Sequence, residues 1–510
     1  MAQSPQVKTT FEQWKREQGA VQTLQSQLEK NQELKDLLLT ETPWVFAADR
    51  ETEQRQQLAV FFDENAIAQR LTMAVDKLKK LQQGDGSFAW YPGMPGSTMV
   101  TVTVAEMLAR LTVMAGQQTD TRELQTAALG YLDREMVKLV AEMKKQERKG
   151  VKPTFPSFTA LRWLYVQALD GRKLSADVKA ATDYLLRLLK KDIKNQTIYE
   201  KALTAIIFSH NGEERLAADY VKSLKEYTVY TEEMGRYYDA PRAGYSWYDY
   251  RIPTEVAAIE ALQRVTPQDV QTVDEMRRWL LQEKRTQAWD TPISSVNAIW
   301  AFLAGRPQLL AQQEQTVLAI DGTPMDMSTS TAGLGYVKTT VSSPTGRELT
   351  ATKTSTGTSW GAVYAQFMQK TTDVEQSSSG VKVKREVMAS ADRHPSAATQ
   401  FKVGDRVKVR ITIEAERDLD FVQVADRRAA CMEPVEQLSG YRNGAYCSPK
   451  DCATHYFFYQ MAKGKHVIET EYYIDRAGSY LTGTLSVQCA YAPEYRATAP
   501  AVELTVQKAN

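Results

Sequence analysis

From residue 9 to about residue 305 the apolar positions of the chain recur every three or four residues. Leu24, Leu28, Leu34, Leu37 and Leu38 keep this step, and so do Leu71, Val75, Leu78 and Leu81. Val104, Met107, Leu108 and Leu111 continue it, followed by Leu124, Leu129, Leu132 and Met136. Segments at 157–169, 176–191, 196–209, 213–227, 254–265, 269–283 and 293–303 behave alike. Such a period lays one apolar stripe along each helix and turns it toward a core. Pro156-Ser157, Pro253-Thr254 and Pro292 stand at entrances to apolar runs. Proline is tolerated in a first helical turn, and Ser or Thr caps one.

Past Gly305-Arg-Pro the period becomes two. Val317-Leu-Ala-Ile, Gly335-Tyr-Val-Lys-Thr-Thr-Val, Glu348-Leu-Thr-Ala-Thr and Ser359-Trp-Gly-Ala-Val-Tyr read as strands rich in Thr and Val. Thr371 to Gly380, with three consecutive serines, reads as a linker. Strands are then expected at 381–388, 405–415, 418–425, 454–461, 464–474 and 479–491, with a last one near 500–508. That density of strands and turns implies a sandwich. The chain is therefore multidomain, α then β.

Three loops repeat an aromatic signature. They are Asp85-Gly-Ser-Phe-Ala-Trp90-Tyr91-Pro-Gly, Gly244-Tyr-Ser-Trp247-Tyr248-Asp-Tyr and Thr286-Gln-Ala-Trp289-Asp-Thr-Pro. Each precedes a Thr- or Ser-started helix, namely Thr101–Leu111, Thr254–Leu262 and Ser294–Leu303. A weak repeat of helical hairpins implies stacked or circularly arranged helix pairs. An aromatic ahead of an inner helix is expected to plug the hairpin against its neighbour. A ligand-facing role for Trp90, Tyr91, Trp247, Tyr248 and Trp289 is the alternative.

Length and composition narrow the function classes. The 510 residues call for two to four domains, and 43% hydrophobic with 25% charged residues suits a globular protein. A net charge of +1 supplies no basic field for nucleic acid and no polybasic membrane signal. No apolar run is long enough for membrane insertion. Met1 to Lys8 lack the apolar core of a signal peptide, which fits a cytosolic protein or a piece of a longer exported one. The four cysteines, Cys431, Cys447, Cys452 and Cys489, all lie near the C-terminus. They suit one or two disulfides in an oxidising compartment, or else buried reduced thiols. Three pairings are open; one joins Cys447 to Cys452 and Cys431 to Cys489. Zinc is disfavoured, since the spacing is not C-x-x-C and His455 is the only nearby histidine.

Catalytic patterns are missing. The four histidines, His210, His394, His455 and His466, are scattered, and there is no phosphate-binding loop, H-E-x-x-H or G-x-S-x-G. A carbohydrate-active α/α enzyme would need two facing carboxylates, for which Asp85, Asp249, Glu255 and Asp290 are the candidates. Acidic residues at helix starts are equally explained by capping and the helix dipole. The chain reads as a non-enzyme without a cofactor.

Several segments together resemble the C-terminal portion of bacterial alpha-2-macroglobulin-family proteins. They are Glu41-Thr-Pro-Trp-Val45, Leu81-Gln-Gln-Gly-Asp-Gly-Ser-Phe-Ala-Trp-Tyr-Pro-Gly93 and Gly361-Ala-Val-Tyr-Ala-Gln-Phe367. The longest block runs from Phe401-Lys-Val-Gly-Asp-Arg-Val through Asp420-Phe-Val-Gln-Val-Ala-Asp to Cys431-Met-Glu-Pro-Val435. Lys463-Gly-Lys-His-Val-Ile-Glu, Arg476-Ala-Gly-Ser-Tyr480 and Cys489-Ala-Tyr-Ala-Pro-Glu-Tyr-Arg496 extend it. The resemblance covers nearly the whole chain. It implies a thioester-domain-like α/α toroid over 1–310, CUB-like return strands over 315–372 and a macroglobulin-like sandwich over 380–510. It also implies protease trapping through a parent protein, upstream macroglobulin domains as partners, and a periplasmic or cell-envelope location.

The pattern departs from the family where the chemistry lies. A thioester joins a Cys to a Gln in C-x-E-Q, and no cysteine precedes Cys431. Only non-covalent roles then remain to this helical segment. Either the chain starts just after that motif, or it comes from a branch that lacks it. A CUB-like module short of its upstream strands is expected to leave a β-edge that associates. A free-standing interaction module is the alternative function.

Overall fold

The computed structural model describes residues 44, 64–116, 119–190, 196–232, 234–239, 250–286, 291–304, 316–325, 348–354, 363, 368–390, 397–442 and 444–509. These divide into two compact units. A helical unit runs from 64 to 354 without 283–288, and a β unit takes residue 44 and runs on from 363.

In the helical unit, α1 (Glu64–Leu81), α2 (Thr98–Ala115), α3 (Thr119–Arg148), α4 (Phe158–Asp170) and α5 (Ala176–Leu189) come first. Then follow α6 (Ile198–His210), α7 (Glu214–Glu226), α8 (Arg251–Val265), α9 (Val270–Thr286) and α10 (Pro292–Leu303). Burial sorts them into two layers. Residues 160–169 of α4, 198–208 of α6 except Glu200, and 252–262 of α8 are buried in unbroken runs. Those helices are enclosed on all sides. By contrast α7 buries only Ala217, Tyr220, Val221 and Leu224, a single stripe at helical spacing. The even-numbered helices up to α4, then α6, α8 and α10, neighbour one another in turn. Arg110 of α2 bonds Asn297 of α10 at 2.8 Å, which joins the first inner helix to the last. Of the two arrangements that the repeat allows, stacked or circular, this is the circular one.

The capping residues are partly those expected. Ser157 accepts from the Ala160 N–H, and Thr197 with Glu200 forms a reciprocal capping box on α6. Other starts lie earlier than their first apolar residues indicate. Ser97, not Thr101, caps α2, and Thr291 caps α10 with Pro292 in its first turn. The α8 helix begins at Arg251, so Pro253 sits inside its first turn and Thr254 is a buried helical residue.

Between the helices lie two ribbons, β1 (Phe88–Ala89) with β2 (Gly96–Ser97), and β3 (Val229–Thr231) with β4 (Gly235–Tyr237). After α10, β5 (Val317–Ile320), β6 (Thr323–Pro324) and β7 (Leu349–Thr352) form a small antiparallel sheet in the order β6-β5-β7. It contains two of the four strands expected over 315–372; those at 335–341 and 359–367 lie outside the described residues, Val363 excepted.

The β unit is a sandwich. Its strands are β8 (Ser377–Ser379), β9 (Val381–Ala389), β10 (Gln400–Lys402), β11 (Arg406–Ala415), β12 (Leu419–Arg427), β13 (Met432–Pro434) and β14 (Gly440–Arg442). The rest are β15 (Ala445–Pro449), β16 (Ala453–Met461), β17 (Gly464–Ile474), β18 (Gly478–Leu481), β19 (Leu485–Cys489), β20 (Arg496–Ala499) and β21 (Glu503–Gln507). A seven-stranded sheet has the order β14-β15-β16-β12-β19-β20-β8, and a four-stranded one β13-β17-β11-β9. In β11 the residues Val407, Val409, Ile411, Ile413 and Ala415 point inward, alternating with less buried neighbours. They meet Val422 and Val424 of β12 in one core. The serine run expected to be a linker is structured. Ser377–Ser379 pair with Arg496–Thr498 as the edge strand β8. Arg385 staples the sandwich internally: it pairs with Asp426 at 3.0 Å and donates to the carbonyls of Gly483 and Pro500 at 2.8 and 2.7 Å.

Candidate interaction surfaces

The first aromatic loop is a rigid hairpin ahead of α2. The Asp85 carboxylate accepts from the Ser87 N–H at 2.9 Å and the Ser87 hydroxyl at 2.6 Å. Those two bonds hold its carboxyl below the usual carboxylate range. Gly86 takes φ +91°, and a Cβ there would stand 2.2 Å from the Ala127 carbonyl oxygen. Only glycine meets both demands. The Phe88 N–H donates to Thr101 at 2.8 Å, and its ring is fully buried in the helical core. Phe88 thus performs the plugging expected of Trp90. The strand ends at Ala89 and the chain bends, which leaves Trp90 and Tyr91 exposed at 57% and 68%, with Met94 and Met99 exposed as well. The equivalent residues Trp247, Tyr248 and Trp289 lie outside the described residues.

At the centre of the ring the inner helices share a buried polar network. Glu106 of α2 accepts from Arg162 of α4 through Nε and Nη2 at 2.8 and 2.6 Å, and its other oxygen is 3.1 Å from Arg110. Arg110 donates to the Tyr165 hydroxyl at 3.1 Å and stacks over the Trp300 ring. Tyr165 and Trp300 both donate to Glu260 of α8, at 2.5 and 2.8 Å. Burial opposes ionisation of Glu106, and the charges of Arg162 and Arg110 outweigh it, so its pKa is lowered. A hydrolytic acid needs the opposite, a carboxyl held protonated. Nothing in the spacing of the sequence flagged this network, because its members look like ordinary polar residues on separate helices.

The carboxylates named for a carbohydrate enzyme do not assemble among the described residues. Asp85 is committed to its turn, Glu255 is buried in α8, and Asp249 and Asp290 fall outside the described residues. Among the described residues no cluster of His, Cys, Asp and Glu could hold a metal ion. No described helix is long and apolar enough to cross a membrane.

All four cysteines carry free thiols: Cys431, Cys447 and Cys489 are buried and Cys452 is exposed. Cys431 and Cys489 do not lie on neighbouring strands. The first precedes β13 in the four-stranded sheet, and the second closes β19 in the seven-stranded one. Cys489 donates to the Asp420 carbonyl at 2.9 Å, and burial pushes its pKa up to about 11. His455, on β16, is pushed down to about 4 by burial and by the charges of Arg427 and Lys450. A neutral imidazole there stacks on Phe457.

Residues 380–494 match the sequence model of the Bacterial Alpha-2-macroglobulin MG10 domain, which spans most of the sandwich. No curated protein matches the chain. Among solved structures it is similar to trypsin-activated alpha-2-macroglobulin from Escherichia coli, at 11% identity and a TM-score of 0.43, over 92% of this chain and 31% of that one. Escherichia coli alpha-2-macroglobulin activated by porcine elastase is similar at 11% identity and a TM-score of 0.42, over 87% of this chain and 39% of that one. Salmonella alpha-2-macroglobulin reacted with methylamine is similar at 13% identity and a TM-score of 0.31, over 96% and 29%. The chain thus spans 31% of the length of the first of these relatives.

Proposed function

We propose, from the premise that residues 380–494 form a bacterial alpha-2-macroglobulin MG10 domain, that this chain is the C-terminal portion of an endopeptidase inhibitor that traps proteases. The match over that domain is the observation that carries the reading. In this portion the action is non-covalent. A thioester needs a cysteine in the helical unit, and all four cysteines lie in the sandwich. The same reading makes the chain a non-enzyme, with proteases and upstream macroglobulin domains as partners and the periplasm or cell envelope as location. The helical unit serves as a thioester-domain-like toroid whose centre is filled by the network around Glu106. Residues 315–372 serve as CUB-like strands.

The test uses the full-length polypeptide that contains this chain, mixed with trypsin. The trap blocks cleavage of casein and spares cleavage of a small chromogenic peptide. Unchanged casein cleavage at a molar excess of the polypeptide overturns the reading. The exposed Trp90–Tyr91 hairpin favours a second reading, a free-standing interaction module. It requires that Trp90→Ala with Tyr91→Ala abolish partner capture in the absence of any protease.

A further inference from the structure

Trp44 belongs to the Glu41-Thr-Pro-Trp-Val45 run, far upstream of the sandwich in sequence. Its position is nevertheless in the β unit, on the face of the seven-stranded sheet that turns away from the sandwich core. The indole is fully buried, against Phe457 of β16 and Ala490 just after β19. Phe421 and Phe457 meet it edge-on, with ring centroids 5.4 and 5.0 Å away. Phe421 in turn packs edge-on against Tyr491 at 4.8 Å and Tyr459 at 5.6 Å. This cluster is separate from the main core between the sheets.

Two details distinguish the cradle from ordinary packing. First, Phe421 has φ +54°, a left-handed backbone that a bulky residue rarely adopts. Leu419 and Asp420, just before it, are both buried, so the strand alternation breaks there. The kink is held from both sides: the Ala490 N–H donates to the Phe421 carbonyl at 2.9 Å and the Cys489 thiol to the Asp420 carbonyl. Backbone strain of this kind persists where surrounding structure over-determines it, and it clusters at ligand clamps. Second, the Trp44 indole N–H is buried with no hydrogen-bond partner. A core tryptophan normally finds one. Here the hold is apolar and carries no polar lock, as at an interface anchored by one aromatic side chain.

We propose that the outer face of the seven-stranded sheet is a docking site for a tryptophan-bearing segment, filled in cis by Trp44 and open to the same segment in trans once Trp44 is removed. The proposal is independent of protease trapping. Phe457 and Phe421 supply the walls, and their edges face the indole with the favourable electrostatics of a T-shaped pair.

The experiment titrates a synthetic peptide, Glu-Thr-Pro-Trp-Val with blocked ends, into the full chain and into its Trp44→Ala variant by calorimetry. An anchor in cis competes at an effective concentration of about millimolar, so a peptide that binds the variant with a Kd of about 0.1 mM should bind the wild type about tenfold more weakly. Adding Phe457→Ala to Trp44→Ala should abolish that binding. Equal binding to both proteins, binding to neither, or binding that survives Phe457→Ala overturns the proposal. So does a Trp44→Ala variant that loses its far-ultraviolet circular dichroism and its cooperative melt. That outcome would place Trp44 in the folding core rather than in a docking site.

Discussion

Glu106→Ala should be among the most damaging single substitutions in the helical unit. The carboxylate is 2% exposed and serves two guanidiniums at once, Arg162 at 2.6 and 2.8 Å and Arg110 at 3.1 Å. Removing it strands two buried cations on neighbouring inner helices. Breaking a buried ion pair from one side costs about 3–5 kcal/mol. Both arginines keep other partners, Thr103 for Arg162 and Tyr165 with Asn297 for Arg110, so neither is stripped of every acceptor. The loss should therefore sit near the lower bound, about 3 kcal/mol, which is a large part of a domain stability of about 5–15 kcal/mol. Urea unfolding followed by circular dichroism at a helical wavelength measures it. Glu106→Leu combined with Arg162→Met should recover part of the loss, since an apolar replacement removes one charge and its counter-charge together while Arg110 still lacks the carboxylate. The pH dependence has a definite sign. The folded pKa of Glu106 is lowered, so its contribution is complete above the ordinary carboxylate pKa and fades as pH falls through the folded value. In that acid range the advantage of wild type over Glu106→Gln should shrink. A loss below about 1 kcal/mol for Glu106→Ala at neutral pH, with an unchanged denaturant slope, would refute the view that the network locks the ring.

Three further outcomes follow from single sites. His455 titrates at about 4 in the fold against about 6.5 unfolded, so its contribution is present above the unfolded value and is lost as pH falls. That amounts to about 2 kcal/mol lost by pH 5, and His455→Gln should flatten the profile; an imidazole titrating near 6.5 by NMR contradicts it. Gly86→Ala should cost the helical unit at least about 2 kcal/mol in thermal or urea unfolding, from the left-handed φ and the Ala127 carbonyl together; a neutral substitution would mean that the turn is not built as described. Native alkylation should label exposed Cys452 first, with Cys431, Cys447 and Cys489 reacting only after unfolding, and denaturation without reductant should reveal four thiols. A lower thiol count by mass would mean bridges that the structure does not contain.

The sequence by itself determined the two architectures and their order. Helical period before Leu303 and strand alternation from Arg406 onward are local properties, written by which face of each element must be buried. Long strands such as β11, β12, β16 and β17 were legible to within a residue or two for the same reason. Short edge strands were not. Ser377–Ser379, Met432–Pro434 and Gly440–Arg442 are three residues each and become strands only because a neighbour offers its free hydrogen-bonding edge. The aromatic hairpin was visible as a motif, but which ring goes inward was not. Phe88 or Trp90 could each have been the plug, and the bond from the Phe88 N–H to Thr101 decides between them. The polar centre around Glu106 and the cradle around Trp44 were decided by tertiary structure alone. Both depend on residues far apart in sequence, and only the closure of the ring and the packing of Trp44 onto the outer face of the seven-stranded sheet bring those side chains within a few ångströms.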